Sequence, residues 1–151
     1  MMKKLILLPF FILCGTLLFA QIQNPVAWTA TSKKIADKTY EVRLTANMQQ
    51  GWHIYSQTTP DGGPVPTNIS FTKNPLLVIK GKAKEIGKLE QHNEPLFGVD
   101  VKQFSNKVDF VQIVNLKANV KTSVDMSVEY MACDDRQCLP PATKKFTVAL
   151  K

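Results

Sequence analysis

Lys38-Thr39-Tyr40-Glu41-Val42-Arg43-Leu44-Thr45-Ala46-Asn47-Met48 alternates without a break. Tyr40, Val42, Leu44, Ala46 and Met48 fall on one face, and Glu41, Arg43, Thr45 and Asn47 on the other. Successive side chains of a strand point to opposite sides, so this is a strand with one dry face and one wet face. The same reading extends outward. Val124, Met126, Val128 and Tyr130 alternate with Ser123, Asp125, Ser127 and Glu129, and Phe146, Val148 and Leu150 share one face of Lys144–Leu150. Trp28–Ser32, Trp52–Ser56, Ile69–Phe71 and Leu76–Ile79 read as shorter strands. Val108–Leu116 carries apolar residues on both faces, as a central strand does. Gln49-Gln50-Gly51 is a turn, and Thr59–Thr67, with two glycines and three prolines, is an irregular loop. Gly81–Gly87 reads as a charged connection and His92–Gly98 as a loop. No segment has a helical period. About eight or nine strands at roughly ten-residue spacing predict an all-β fold, an immunoglobulin-like antiparallel β-sandwich.

The N-terminus sets the compartment. Lys3 and Lys4 precede an almost wholly apolar run from Leu5 to Phe19, and Ala20 is a small residue suited to cleavage. This is the layout of a secretory signal peptide. Residues 1–20 are expected to be signal and residues 21–151 the mature domain, exported to the periplasm. Cys14 follows Leu13, which is not the small residue a lipidation site wants, so a lipid anchor there is not expected. The chain carries a formal charge of +7, of which two units belong to the signal lysines. The remaining lysines are scattered and form no run, which argues against nucleic-acid binding. No Ser-His-Asp pattern, carboxylate pair or phosphate loop stands out.

Cleavage removes Cys14 and leaves two cysteines, within Tyr130-Met131-Ala132-Cys133-Asp134-Asp135-Arg136-Gln137-Cys138-Leu139-Pro140-Pro141. In an oxidising compartment they are either bonded to each other or kept reduced for a purpose. A bond between them closes a ring of six residues, for which chain entropy gives roughly 2 kcal/mol. It clips one loop and joins no distant strands, so the spacing favours a disulfide that is exchanged over a structural staple. Asp134 and Asp135 disfavour a thiolate nearby and Arg136 favours one. The dithiol therefore reads as a passive partner that meets an activated cysteine supplied by another protein. Pro140 and Pro141 stiffen the exit from the loop. Two alternatives stay open: an immunoglobulin-like binding or assembly module with an inert disulfide, and a metal carrier using the cysteines with His53, His92 or a methionine.

The cysteine loop resembles the active-site loop of the periplasmic N-terminal domain of the thiol:disulfide interchange protein DsbD. Gly51-Trp52-His53-Ile54-Tyr55-Ser56, followed by the Gly/Pro-rich stretch to Thr67, is similar to that family's second signature. The resemblance runs from about Val26 to Leu150. It implies an immunoglobulin-like sandwich that relays electrons from a thioredoxin-like donor, fed by a membrane electron carrier, to oxidised periplasmic acceptors such as disulfide isomerases and cytochrome c maturation proteins. It implies no bound cofactor. By motif match Cys138 meets the partner and Cys133 resolves, with His53, Tyr55, Asp134 and Pro140 around them. The family's cap loop matches Asn93-Glu94-Pro95-Leu96-Phe97-Gly98. Glu94 belongs to this cap, and either Leu96 or Phe97 falls at the covering position. The chain departs from typical relatives in having one residue fewer between the cysteines and a histidine, His53, beside them. It ends at Lys151 with no further apolar run, so donor and acceptor are expected to be separate chains of thioredoxin fold.

Overall fold

The computed structural model describes residues 23–95 and 97–151; the expected signal, with Cys14, lies outside the described residues, as does Leu96. Ten strands and no helix occur among the described residues: β1 (Val26–Ala36), β2 (Thr39–Met48), β3 (His53–Tyr55), β4 (Asn68–Phe71), β5 (Leu77–Ile79), β6 (Lys84–Glu94), β7 (Val99–Leu116), β8 (Thr122–Tyr130), β9 (Ala132–Cys133) and β10 (Ala142–Leu150). Every pairing is antiparallel. They form two sheets, the immunoglobulin-like sandwich that the strand spacing predicts. The smaller sheet runs β10-β8-β4. The larger is built on β7, whose 18 residues are long enough to serve several partners. One edge of β7 pairs with β2 and then β3, and the other with β5 and β6, while β9 extends the sheet from β3.

The alternation of β2 is borne out residue by residue. Tyr40, Val42, Leu44, Ala46 and Met48 are all buried, and they pack with Phe110, Val108 and Val114 of β7 and with Val124, Met126 and Val128 of the facing sheet. On the solvent face of β2, Arg43 pairs with Glu41 and Asp109, both at 2.8 Å, and Thr45 donates to Asp109 at 2.6 Å. These contacts set register more than they add stability, because the groups remain partly wet. Val108–Leu116 is a central strand by pairing, but its faces are unequal: Val108, Phe110, Val114 and Leu116 are core, whereas Ile113 is exposed.

Two expectations are corrected. Gly81–Gly87 is a connection only as far as Ala83, and His92–Gly98 is a loop only from Pro95 onward. Lys84–Glu94 forms an edge strand, and Val99–Lys107 continues β7 toward its N-terminal end. The reason is exposure. As an edge strand, β6 leaves most side chains on both faces in solvent, so hydrophobic alternation is absent from its sequence. The strand also shifts register between Gly87 and Leu89, which breaks any period.

Gly87 sits where β6 crosses close to β7. A Cβ placed there meets Lys107 O at 3.1 Å, Phe104 Cδ1 at 3.2 Å and Val108 Cα at 3.3 Å. Two of these neighbours are backbone, so relief requires the strands to part. Gly87→Ala is expected to lower folding stability by about 1–3 kcal/mol, the range for overpacking, as read by urea denaturation. An unchanged midpoint shows that β6 stands further from β7 than described.

Candidate active site

Cys133 closes the two-residue strand β9, where it lies opposite His53 of β3. Four residues, Asp134–Gln137, then turn the chain back. Asp134 N–H donates to Gln137 O at 2.9 Å, and the Asp134 carboxylate accepts the N–H groups of Arg136 and Gln137, both at 2.8 Å. An aspartate accepting backbone N–H groups two and three residues on is the usual side-chain closure of such a turn. Leu139 N–H returns to Ala132 O at 2.9 Å. The result is a small hairpin that brings Cys138 beside Cys133, Cα to Cα 4.0 Å, with the two sulfurs bonded. Those backbone hydrogen bonds already close the loop without the disulfide.

The two sulfurs differ in access. Cys133 is 1 % exposed and packs against Tyr55 and Val101. Cys138 is exposed. The disulfide opens into a cleft of about 300 Å³ whose wall includes His53, Tyr55, His92, Gln103, Asp134 and Asp135. Glu94, Pro95 and Phe97 close its far side. They belong to the tip of the β6–β7 hairpin, where Phe97 and Gly98 N–H groups both return to Glu94 O and Gly98 takes φ +67, a conformation glycine adopts without strain. Phe97 of the expected cap thus borders the cysteine cleft; Leu96 lies outside the described residues. Pro140 does not line the cleft. It lines a separate apolar groove with Tyr130, Ala132 and Leu139.

His53 and Tyr55 are two apart on β3, so both face the cleft. Their rings meet edge to face with centroids 5.3 Å apart, and Nε2 lies 3.2 Å from the phenol oxygen. Burial, helped by the charge of Glu94, pushes the Tyr55 phenol up to about 12, so it stays protonated and can donate to the imidazole. Burial pulls His53 below its ordinary value, and the nearby His92 adds to this against Glu94, Asp135 and Glu90. Asp134 is held below the usual carboxylate range by the two N–H groups it accepts. Behind Tyr55, the Gly/Pro-rich loop is pinned by Thr67 Oγ1 to Tyr55 O at 2.5 Å and Thr59 Oγ1 to Lys102 O at 2.7 Å.

The cysteines, and His53, Tyr55, Asp134, Glu94 and Phe97 that the family resemblance implies beside them, all line one cleft. The sequence pattern missed Gln103, buried in the cleft wall opposite Tyr55 in register. Gln103 lies on the part of β7 that had not been read as strand. Val99, Val101, Gln103 and Ser105, had they been read as one face, were the available signal. Among the described residues no cluster of three or more potential ligands could hold a metal ion.

A family model described as "Thiol:disulfide interchange protein DsbD, N-terminal" matches residues 22–150. Among solved structures, the reduced DsbD N-terminal domain of Neisseria meningitidis is similar with a TM-score of 0.51 at 18% identity, over 82% of this chain and 85% of that one. The N-terminal periplasmic domain of ScsB from Proteus mirabilis gives 0.47 at 15% identity, over 83% and 44%. A complex between the DsbD and PilB N-terminal domains of Neisseria meningitidis gives 0.49 at 16% identity, over 80% and 81%. At these identities the likeness is one of fold. No curated protein matches the chain by sequence.

The burial of His53 has a sign that can be measured. A base whose folded pKa is depressed contributes stability that is fully present above its unfolded value of 6.5 and is lost as pH falls through the folded pKa. Between about pH 7 and pH 5 the wild type is expected to lose more folding stability than His53→Gln, and the His53 ring resonances are expected to titrate below 6.5. Parallel stability curves for the two proteins, with His53 titrating at its ordinary value, contradict the described burial.

Proposed function

Since this chain belongs to the family of N-terminal domains of the thiol:disulfide interchange protein DsbD, we propose that it is an exported thiol:disulfide oxidoreductase domain. It relays electrons through Cys133 and Cys138 between separate proteins of thioredoxin fold. The observation that carries this reading is the unequal exposure of a locally closed disulfide. Cys138 is open to a partner and Cys133 is buried behind it.

Each transfer needs two exchanges. On reduction, a donor thiolate attacks the sulfur of Cys138, the Cys133–Cys138 bond breaks, and Cys133 leaves as a thiolate. The donor's second cysteine then attacks its own sulfur in the mixed disulfide and frees Cys138. On oxidation, the thiolate of Cys138 attacks the acceptor disulfide and expels one acceptor sulfur. Cys133 then attacks Cys138, releasing the acceptor as a dithiol and restoring the bond. Two electrons pass at each stage and no bound cofactor is required. Attack falls on Cys138 because it is the accessible sulfur, and exchange rates depend on which sulfur can be reached.

Phe97 acts as a cover. It borders the cleft from the tip of a tight hairpin, so it can move aside without disturbing the sheet. Glu94, Tyr55 and His53 form the polar side of the same cleft. Residues 1–20 are the export signal, residues 21–151 the working domain, and the periplasm the compartment. A membrane electron carrier stands upstream, and cytochrome c biogenesis is one pathway that such a relay serves.

Cys133→Ala leaves Cys138 able to attack but removes the resolving thiol. It is expected to accumulate mixed disulfides with thioredoxin-fold proteins on non-reducing gels of periplasmic extracts. Failure to trap any such protein, together with a reduction potential well below about −300 mV, the region of structural disulfides, sinks the reading.

Cover by Phe97 is checked separately. Phe97→Ala is expected to speed reduction of the disulfide by dithiothreitol several-fold with little change in potential. An unchanged rate removes Phe97 from that role.

A further inference from the structure

We propose that the end of the sandwich farthest from the disulfide docks on an anionic lipid bilayer. Lysines on its connections meet the headgroups, and Ile35, Leu76 and Val120 enter the interface between them. This surface is separate from the cleft and does not depend on exchange taking place there.

The lysines are scattered in the sequence, but the fold gathers five of them. Three connections meet at this end. Leu116 N–H donates to Lys38 O at 2.8 Å, and Lys117 N–H to Leu76 O at 2.9 Å. Asn74 Nδ2 donates to Thr122 Oγ1 at 3.2 Å, and Thr122 lies opposite Leu150, the last residue of β10. Residues 34–38, 72–76 and 117–121 thus stand together. They hold Lys34, Lys38, Lys73, Lys117 and Lys121 against one carboxylate, Asp37. Among the described residues none of these lysines is in an ion pair, so their charge is not cancelled at short range. The disulfide cleft is walled instead by Glu94, Asp134 and Asp135. From Gln103 in that cleft to Leu116, β7 spans about 40 Å at roughly 3.3 Å per residue. That is several Debye lengths in physiological salt. An anionic surface therefore attracts one end of the molecule and repels the other, which leaves the disulfide facing away from it.

Charge alone does not choose among anionic partners, but the apolar side chains do. Ile35, Leu76 and Val120 are 49%, 38% and 40% exposed. Each belongs to a different connection and stands beside a lysine. Ile35 follows Lys34 and is the extra residue where β1 shifts register against β2, so the bulge leaves it out of the ladder. Leu76 accepts from Lys117 N–H, and its own N–H donates to Asn74 Oδ1 at 3.0 Å. Val120 precedes Lys121 in a turn closed by its N–H to Ala118 O at 2.9 Å. A protein interface gathers its apolar residues into one core patch with the charges at the rim. Here aliphatic side chains and lysines are interleaved on three tips. A bilayer surface accepts that arrangement, because aliphatic groups sink between headgroups while the ammonium groups stay with the phosphates. Nucleic acid offers phosphate but no place for three aliphatic side chains, and residues 34–38, 72–76 and 117–121 include no arginine or aromatic to stack on bases.

The test is sedimentation of the exported protein with vesicles of equal parts phosphatidylglycerol and phosphatidylcholine, against vesicles of phosphatidylcholine alone. Binding is expected on the anionic vesicles only, and is expected to fade near 0.5 M salt, where the Debye length is about 4 Å. Two triple variants remove the same charge from exposed positions. Lys34→Ser with Lys117→Ser and Lys121→Ser is expected to weaken binding roughly a hundredfold, at about fivefold for each lysine near the surface. Lys88→Ser with Lys107→Ser and Lys145→Ser, away from this end, is expected to weaken it a few-fold at most. Ile35→Ser with Val120→Ser, at unchanged charge, is expected to weaken it several-fold. Equal losses in the two triple variants, no preference for the anionic vesicles, or full binding by the Ile35→Ser, Val120→Ser protein each overturn the inference. Retention on heparin without binding to vesicles also overturns it, in favour of an acidic macromolecule. None of these results touches the exchange reading, which rests on trapping at Cys138.

Discussion

The site depends on β3 being paired along both edges at once. His53 and Tyr55 reach the disulfide because β7 holds one side of this three-residue strand and β9 the other. Side chains on a strand alternate with period two, so a slip of one residue turns the whole set over. Such a slip turns His53 and Tyr55 away from the disulfide and brings Ile54, now fully buried, onto the cleft face. Exposing one such side chain costs roughly 1.5–3 kcal/mol, before any penalty for burying the half-exposed imidazole of His53. The core therefore enforces the register, and the register assembles the cleft. No described residue of the site needs a special backbone geometry of its own, except at the glycine of the hairpin tip.

The legible parts of the sequence were those where one face of a strand is dry and the other wet. β2, β8 and β10 satisfy this over most of their length, and their alternation gave both the fold and the inward residues. The cysteine loop was legible for a different reason: its residue types are chemically specific, and its prolines and aspartates mark a turn. β6 was not legible. Its side chains are mostly in solvent on both faces, so nothing in its composition separates strand from loop. The N-terminal half of β7 was lost with it, because Val99, Val101, Gln103 and Ser105 mix apolar and polar residues on the face that lines the cleft. That mixture is a property of the site: a functional face is where a strand stops obeying the pattern of a core. Gln103 was invisible for that reason.

Access to the two sulfurs follows from where the hairpin sits. Cys133 belongs to a paired strand and is covered by Tyr55 and Val101. Cys138 comes after the turn and has no strand outside it. A symmetric loop would expose both sulfurs or neither. The asymmetry suits the proposed exchange, in which one sulfur is attacked and the other resolves. Nothing near Cys138 resembles the activating environment of a helix N-terminus, since the described residues contain no helix.

The two sides of the hairpin also differ, and the difference bears on how long a partner stays. Ala132 points away from Cys133, and the groove on its side is lined by Tyr130, Leu139 and Pro140 with an apolar character. The disulfide opens on the other side, into a cleft of imidazole, phenol, amide and carboxylate. Affinity differences among related complexes lie mostly in the rate of release, and buried apolar contact is what slows release most. A relay has to let go of each partner once the electrons have passed. On the proposed function, a partner that reaches the disulfide meets its polar side, where charge and hydrogen bonding steer encounter more than they lengthen residence. A carrier of the proposed kind, meeting a donor and an acceptor in turn, needs that balance, and the alternation of a single short strand sets the disulfide on the polar side.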